Sequence, residues 1–109
     1  MTDVWGALAQ ISPAGVTLTD AYTCPVGKHV TLQVIACNSG ASTATIRVSH
    51  AVKGVADDTK QYVLYGKLVV AGDTVVTSKV TLAGGDIMRV YTTLATVAFN
   101  VNGIEESNL

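Results

Sequence analysis

Charge is scarce in this sequence. Seven basic and eight acidic residues among 109 give a charged share of 14%, against a usual share of about 25%. Charge normally clothes the solvent face of a domain. A surface built instead from Thr, Ser, Asn and Ala points to a domain that lies against neighbours, the alternative being a soluble monomer with a hydroxyl-rich sheet face. The basic residues are scattered and the net charge is −1, so there is no electrostatic footprint for nucleic acid. Aromatic residues are few, with one Phe and one Trp, which predicts an aliphatic core packed by β-branched shapes. No apolar run approaches the roughly 20 residues of a membrane helix. The opening residues, Met1-Thr2-Asp3-Val4-Trp5, have neither a basic start nor a long apolar stretch. That predicts no signal peptide and folding in a reducing cytoplasm.

Residues that carry chemistry are equally sparse. Cys24 and Cys37 fall at opposite ends of an expected hairpin, in which Cys24 would face about residue 29 and Cys37 about residue 16. A disulfide needs Cα atoms within about 7 Å, so two buried thiols acting as small hydrophobes are expected. His29 and His50 lie in no ligand-spaced motif, whereas a zinc site draws on about four converging ligands. Asp57-Asp58 lacks the alternating ligands and distal Glu of a calcium loop. Neither metal nor cofactor is expected. No Ser or Cys occupies a nucleophile elbow, and Gly84-Gly85-Asp86 precedes a strand rather than opening a helix as a phosphate loop does. Glu105-Glu106 reads as a solvated end. No residue is assigned a catalytic role, so the chain is expected not to be an enzyme. A small enzyme or ligand carrier would need a pocket lined by His50 and Asp86 together, and no titratable pair falls at the expected inward positions.

What the sequence does contain is a repeated phrase between Lys67 and Thr92. Leu68-Val69-Val70 stops at Ala71-Gly72-Asp73, and Val80-Thr81-Leu82 stops at Ala83-Gly84-Gly85-Asp86. Each stop is followed by another β-branched run. Gly beside Asp supplies the positive φ and the local hydrogen bond of a tight reversal. Similar runs cover residues 16–22, 29–37, 44–52, 61–65 and 96–102, with apolar and polar residues alternating. Val30, Leu32, Val34, Ile46, Val48, Leu68, Val70, Leu82, Val90, Val97, Phe99 and Val101 form the expected core. Residues 53–60 are the most polar patch and read as an exposed loop. Gly66 interrupts its strand as a bulge would.

Seven to eight short strands with regular turn signals predict an all-β fold, an antiparallel β-sandwich of Ig-like or jelly-roll-like type joined by consecutive hairpins. The sandwich domain is expected over residues 15–109, preceded by an N-terminal arm over 1–14. Trp5, Leu8 and Ile11 recur on that arm at a spacing of three, while Gly6, Pro13 and Gly15 bracket it too closely for a stable helix. They are expected interface residues, on this domain or a neighbour. Tyr62 and Tyr65 lie near the polar loop and are candidate recognition residues, although a spacing of three on a strand turns them to opposite faces.

Four phrases, in order, carry a family resemblance: Tyr22-Thr23-Cys24-Pro25-Val26-Gly27-Lys28, Cys37-Asn38, Leu82-Ala83-Gly84-Gly85-Asp86 with Val90-Tyr91, and Gly103-Ile104-Glu105-Glu106. Together they resemble small β-sandwich structural proteins of tailed bacteriophages, which occur as head decoration or cement proteins and in tails, baseplates and fibres. Cys24 departs from the aliphatic residue expected there, and the arm lies outside the resemblance. The resemblance implies a non-catalytic virion component, assembled in the host cytoplasm. Its implied partners are major capsid protein or other virion proteins, and its implied state is a homotrimer on a symmetry axis. A capsid decoration or cement role comes first; a tail, baseplate or fibre module with a recognition role is the alternative.

Overall fold

The computed structural model describes residues 4–108, with side-chain surroundings from residue 6 onward. Nine strands occur among them: β1 (Val4–Ile11), β2 (Thr19–Thr23), β3 (Lys28–Asn38), β4 (Ala44–Ala51), β5 (Tyr62–Val69), β6 (Thr74–Val76), β7 (Val80–Ala83), β8 (Ile87–Thr92) and β9 (Val97–Ser107). One sheet runs β1-β9-β3-β6, with β7 beside β6 on the same flank of β3; the other runs β2-β8-β4-β5. Every ladder is antiparallel. The all-β sandwich expected from strand spacing is the observed fold.

The connections differ from the expected string of hairpins. Only β4 and β5 are both consecutive and paired among the described strands. Every other connection that links the two sheets carries the chain across the sandwich, including the repeated Ala-Gly-Asp phrases, which lead from β5 to β6 and from β7 to β8. A turn residue dictates reversal. It does not dictate whether the chain pairs with the strand just left or crosses to the facing sheet roughly 10 Å away.

The core follows strand alternation. Val30, Leu32, Val34 and Ala36 of β3 are buried, as are Ile46, Val48, Leu82, Met88, Val90, Val97, Phe99 and Val101. Each fully buried aliphatic or Phe side chain contributes about 1.5–3 kcal/mol. Leu68 and Val70 are corrections, being 60% and 50% exposed, while Val69 between them is 0% exposed. A run of three apolar residues leaves the phase open. Pairing of Val69 with inward-facing Ala44 decides it, and a one-residue slip inverts a strand's faces.

Residues 4–11, expected as an arm outside the sandwich, form an edge strand paired with β9, from Val4↔Glu105 to Ile11↔Phe99. Leu8, Ala9 and Ile11 pack against the core. The register shifts between Ala7 and Ala9, so Leu8 is the extra residue of a bulge. That bulge explains why the spacing of three did not read as a strand.

Each end of the sandwich is closed by a buried polar hub. At one end Asn38 donates from Nδ2 to the carbonyls of Ser42 (2.8 Å) and Val69 (2.9 Å), and its Oδ1 accepts from Gly40 N–H (3.0 Å) and Thr96 Oγ1 (2.9 Å). This one side chain ties three chain segments together, the turn 38–42, Val69 and Thr96, with every polar atom satisfied. The other end holds the two buried charged residues, Asp86 and Glu105.

Candidate functional site

Two carboxylates organise the charged end. Asp86 ends the second repeated phrase and is buried. Its Oδ2 accepts from Ala83 N–H at 3.0 Å and from His50 Nε2–H at 2.8 Å, and its Oδ1 accepts from Lys53 N–H at 2.9 Å. Burial alone would raise its pKa, but these donors together hold the carboxyl below its ordinary range. Glu105, also buried, accepts from Tyr22 Oη and from Lys28 Nζ, the latter at 2.9 Å. Those two hydrogen bonds lower its pKa, while burial, followed by the bond to Glu105, raises that of Tyr22.

Cys24 is buried, with Sγ directed at the carbonyls of Lys28 and Pro25. Burial, then the fields of Glu105 and Asp86, raises its thiol pKa, opposite to the shift that makes a nucleophilic thiolate. Cys37 is half-buried and both cysteines are free. The Cys24–Cys37 hairpin does not exist, because β2 and β3 belong to different sheets. Among the described residues no three His, Cys, Asp or Glu side chains converge as metal ligands. Among them, too, no helix is long and apolar enough to cross a membrane.

Inward titratable residues are therefore present, contrary to expectation. Glu105 is 8% exposed rather than part of a solvated end. It continues the inward alternation of Val97, Phe99 and Val101 along β9, a phase that Gly103 obscures in the sequence. The His50–Asp86 couple was hidden because 35 residues separate the two in sequence.

Residues 52–61 form a clamped loop with two short 3-10 turns, Val52–Gly54 and Thr59–Gln61. Lys53 has φ 57°, a left-handed conformation that costs a non-Gly residue about 1–2 kcal/mol. Its N–H bond to Asp86 opposes that cost. Arg89 donates to the carbonyls of Val55 (2.7 Å) and Gly54 (3.1 Å) while its Nε meets Asp20 at 3.0 Å. Beneath the loop, Ser49 is buried although its position on β4 faces away from the core. An open depression of about 670 Å³ results, lined by His50, Val52, Lys53, Val55, Lys60, Gln61, Tyr62 and Val63. Neither Ser nor Cys lines it. His50 does so without Asp86, whose carboxylate is committed to the backbone N–H groups of Ala83 and Lys53 and to His50 itself.

The expected interface residues separate. On the β1 side, Trp5 is placed by its backbone opposite Ile104, and its side chain lies outside the described residues. Leu8 and Ile11 are half-buried on their own core. At the far edge of the other sheet, Tyr62 and Tyr65 meet edge to face with centroids 4.8 Å apart, rather than facing opposite sides. Arg47 sits over Tyr65 at 4.9 Å and over Tyr91 at 4.6 Å, its partners on the two flanking strands.

No protein-family model matches the chain, and no curated protein matches it. Among the solved structures similar to the chain are two pentameric capsid proteins isolated from metagenomic phage sequences. The first, solved by iodide SAD phasing, is 17% identical with a TM-score of 0.36, over 92% of this chain and 66% of its own. The second is 19% identical with a TM-score of 0.36, over 92% of this chain and 61% of its own. The chain thus spans a little under two thirds of the length of these neighbours.

Proposed function

We propose that this chain is a bacteriophage virion structural protein without catalytic activity, acting as a capsid decoration or cement protein that binds between major capsid protein subunits. The family resemblance of its turn phrases supports a virion component. The observation that carries the docking role is the state of β1. Edge strands expose unpaired N–H and C=O groups, and proteins normally blunt them with short length, charge or bulges. The other edges carry such devices: β2 has five residues and Asp20, β6 three residues, β7 four, and β5 has Lys67 and two register shifts. β1 has eight residues, VWGALAQI, with no charge and no Pro, blunted only by its bulge. The connection that follows exposes Val16 and Leu18. Such an edge accepts a strand of another chain by main-chain pairing. A homotrimer on a symmetry axis is the assembly expected.

Particles prepared with and without the protein test the reading. Its absence lowers the thermal and mechanical robustness of the head; unchanged robustness overturns the cement role. A second reading, a tail, baseplate or fibre module, is favoured by the meeting of Tyr62 and Tyr65 beside the depression, which gives recognition an aromatic surface. Copy number separates the two: coverage of the whole lattice means the head, a single ring means the tail.

A further inference from the structure

We infer that the depression under loop 52–61 is a binding site for a carboxylated sugar. Four observations converge on it. Lys60 has no ion-pair partner among the described residues and lines the depression with Lys53, whose Nζ spends one donor on Gly84 O at 3.2 Å. Gln61, only 7% exposed, lines it as well. Gln61 Nε2 donates to Ala56 O at 3.0 Å, but its Oε1 has no partner, and a buried acceptor left unmade costs about 1–3 kcal/mol. Val52 and Val55 are half exposed at the rim, with Val63 and the Tyr62 ring completing apolar walls. The loop is also held in shape by Asp86 and Arg89 before any ligand arrives, which lowers the ordering cost of binding.

The lining defines the ligand. Ammonium groups call for an anion, the Gln61 carbonyl for a hydroxyl donor, and the Val and Tyr walls for a C–H face. A pyranose bearing a carboxylate presents all three on one small ring. A bare anion satisfies only the first, and a neutral sugar only the last two. The site lies at the β5 edge of its sheet, away from β1, so it is independent of the docking reading and is tested on the free subunit.

Titration of isotopically labelled protein with glucuronate, glucose and acetate, followed by amide chemical shifts, decides the matter. Glucuronate is expected to shift the amides of 52–63 saturably, with glucose and acetate each at least about tenfold weaker. Lys60→Ala should weaken glucuronate about tenfold, the loss of one charge-assisted hydrogen bond, with an unchanged thermal midpoint because Lys60 is exposed. Equal shifts with acetate, no saturation, or undiminished binding by Lys60→Ala each overturns the inference.

Discussion

Tyr62 and Tyr65 stand three residues apart on one strand, yet their rings touch on the same side of the sheet. The β4–β5 ladder has two register shifts, between Ile46 and Arg47 and between Val48 and Ser49, and the second, with Val63 as its extra residue, lies between the two tyrosines and brings them to one side. Gly66 is the extra residue of the first, with φ 66°. A Cβ there meets nothing within 4 Å, so the cost of a side chain is conformational. Gly66→Ala is expected to lower stability by about 1–2 kcal/mol in chemical denaturation, and Gly66→Asn by less. Equal stability of all three proteins would show that the bulge relaxes.

Gly103 answers to space instead. A Cβ at this position would lie 2.1 Å from Thr31 O and 2.7 Å from Leu32 Cα, backbone atoms of the central strand that cannot rotate away. Gly103→Ala should cost roughly 3 kcal/mol or more, at or beyond the usual range for overpacking. A thermal midpoint within error of wild type would mean that β9 shifts freely against β3.

The two buried carboxylates predict the acid limb. Asp86 and Glu105 have folded pKa values below their ordinary 3.8 and 4.5. The unfolded chain therefore binds more protons in that range, and the stabilisation is fully present above those ordinary values. It is lost as pH falls through the lower folded values. Asp86→Asn and Glu105→Gln should lower the midpoint at neutral pH and flatten its decline below about pH 4.5. Acid limbs parallel to wild type would remove both groups from the linkage.

Removal of residues 1–12 tests β1. The deletion strips the ladder from β9 and uncovers the core beside Leu8, Ala9 and Ile11. A loss of roughly 3 kcal/mol or more is expected, since each buried aliphatic side chain contributes about 1.5–3 kcal/mol. A truncated protein as stable as the full chain would restore the picture of a detachable arm. Ala7→Lys with Gln10→Lys alters two exposed positions of the same edge. These changes should abolish attachment to particles while leaving the free subunit's midpoint unchanged.

Alternation, turn residues and low charge were enough to determine an antiparallel sandwich, most of its inward residues, the polar loop at 53–60 and the bulge at Gly66. These are local properties: side-chain period, allowed φ, and whether a short run can bury one face. Tertiary structure decided what depends on partners distant in the chain. Pairing with Ala44 turned Val69 inward in place of Leu68 and Val70. Pairing with β9 made the presumed arm a strand, and the facing sheet claimed turns that read as hairpins. His50 met Asp86 because β4 pairs with β8, Lys28 met Glu105 because β3 pairs with β9, and Tyr22 met Glu105 across the two sheets. A sequence states what each residue tolerates, and the charged end is assembled from residues whose tolerances do not name one another.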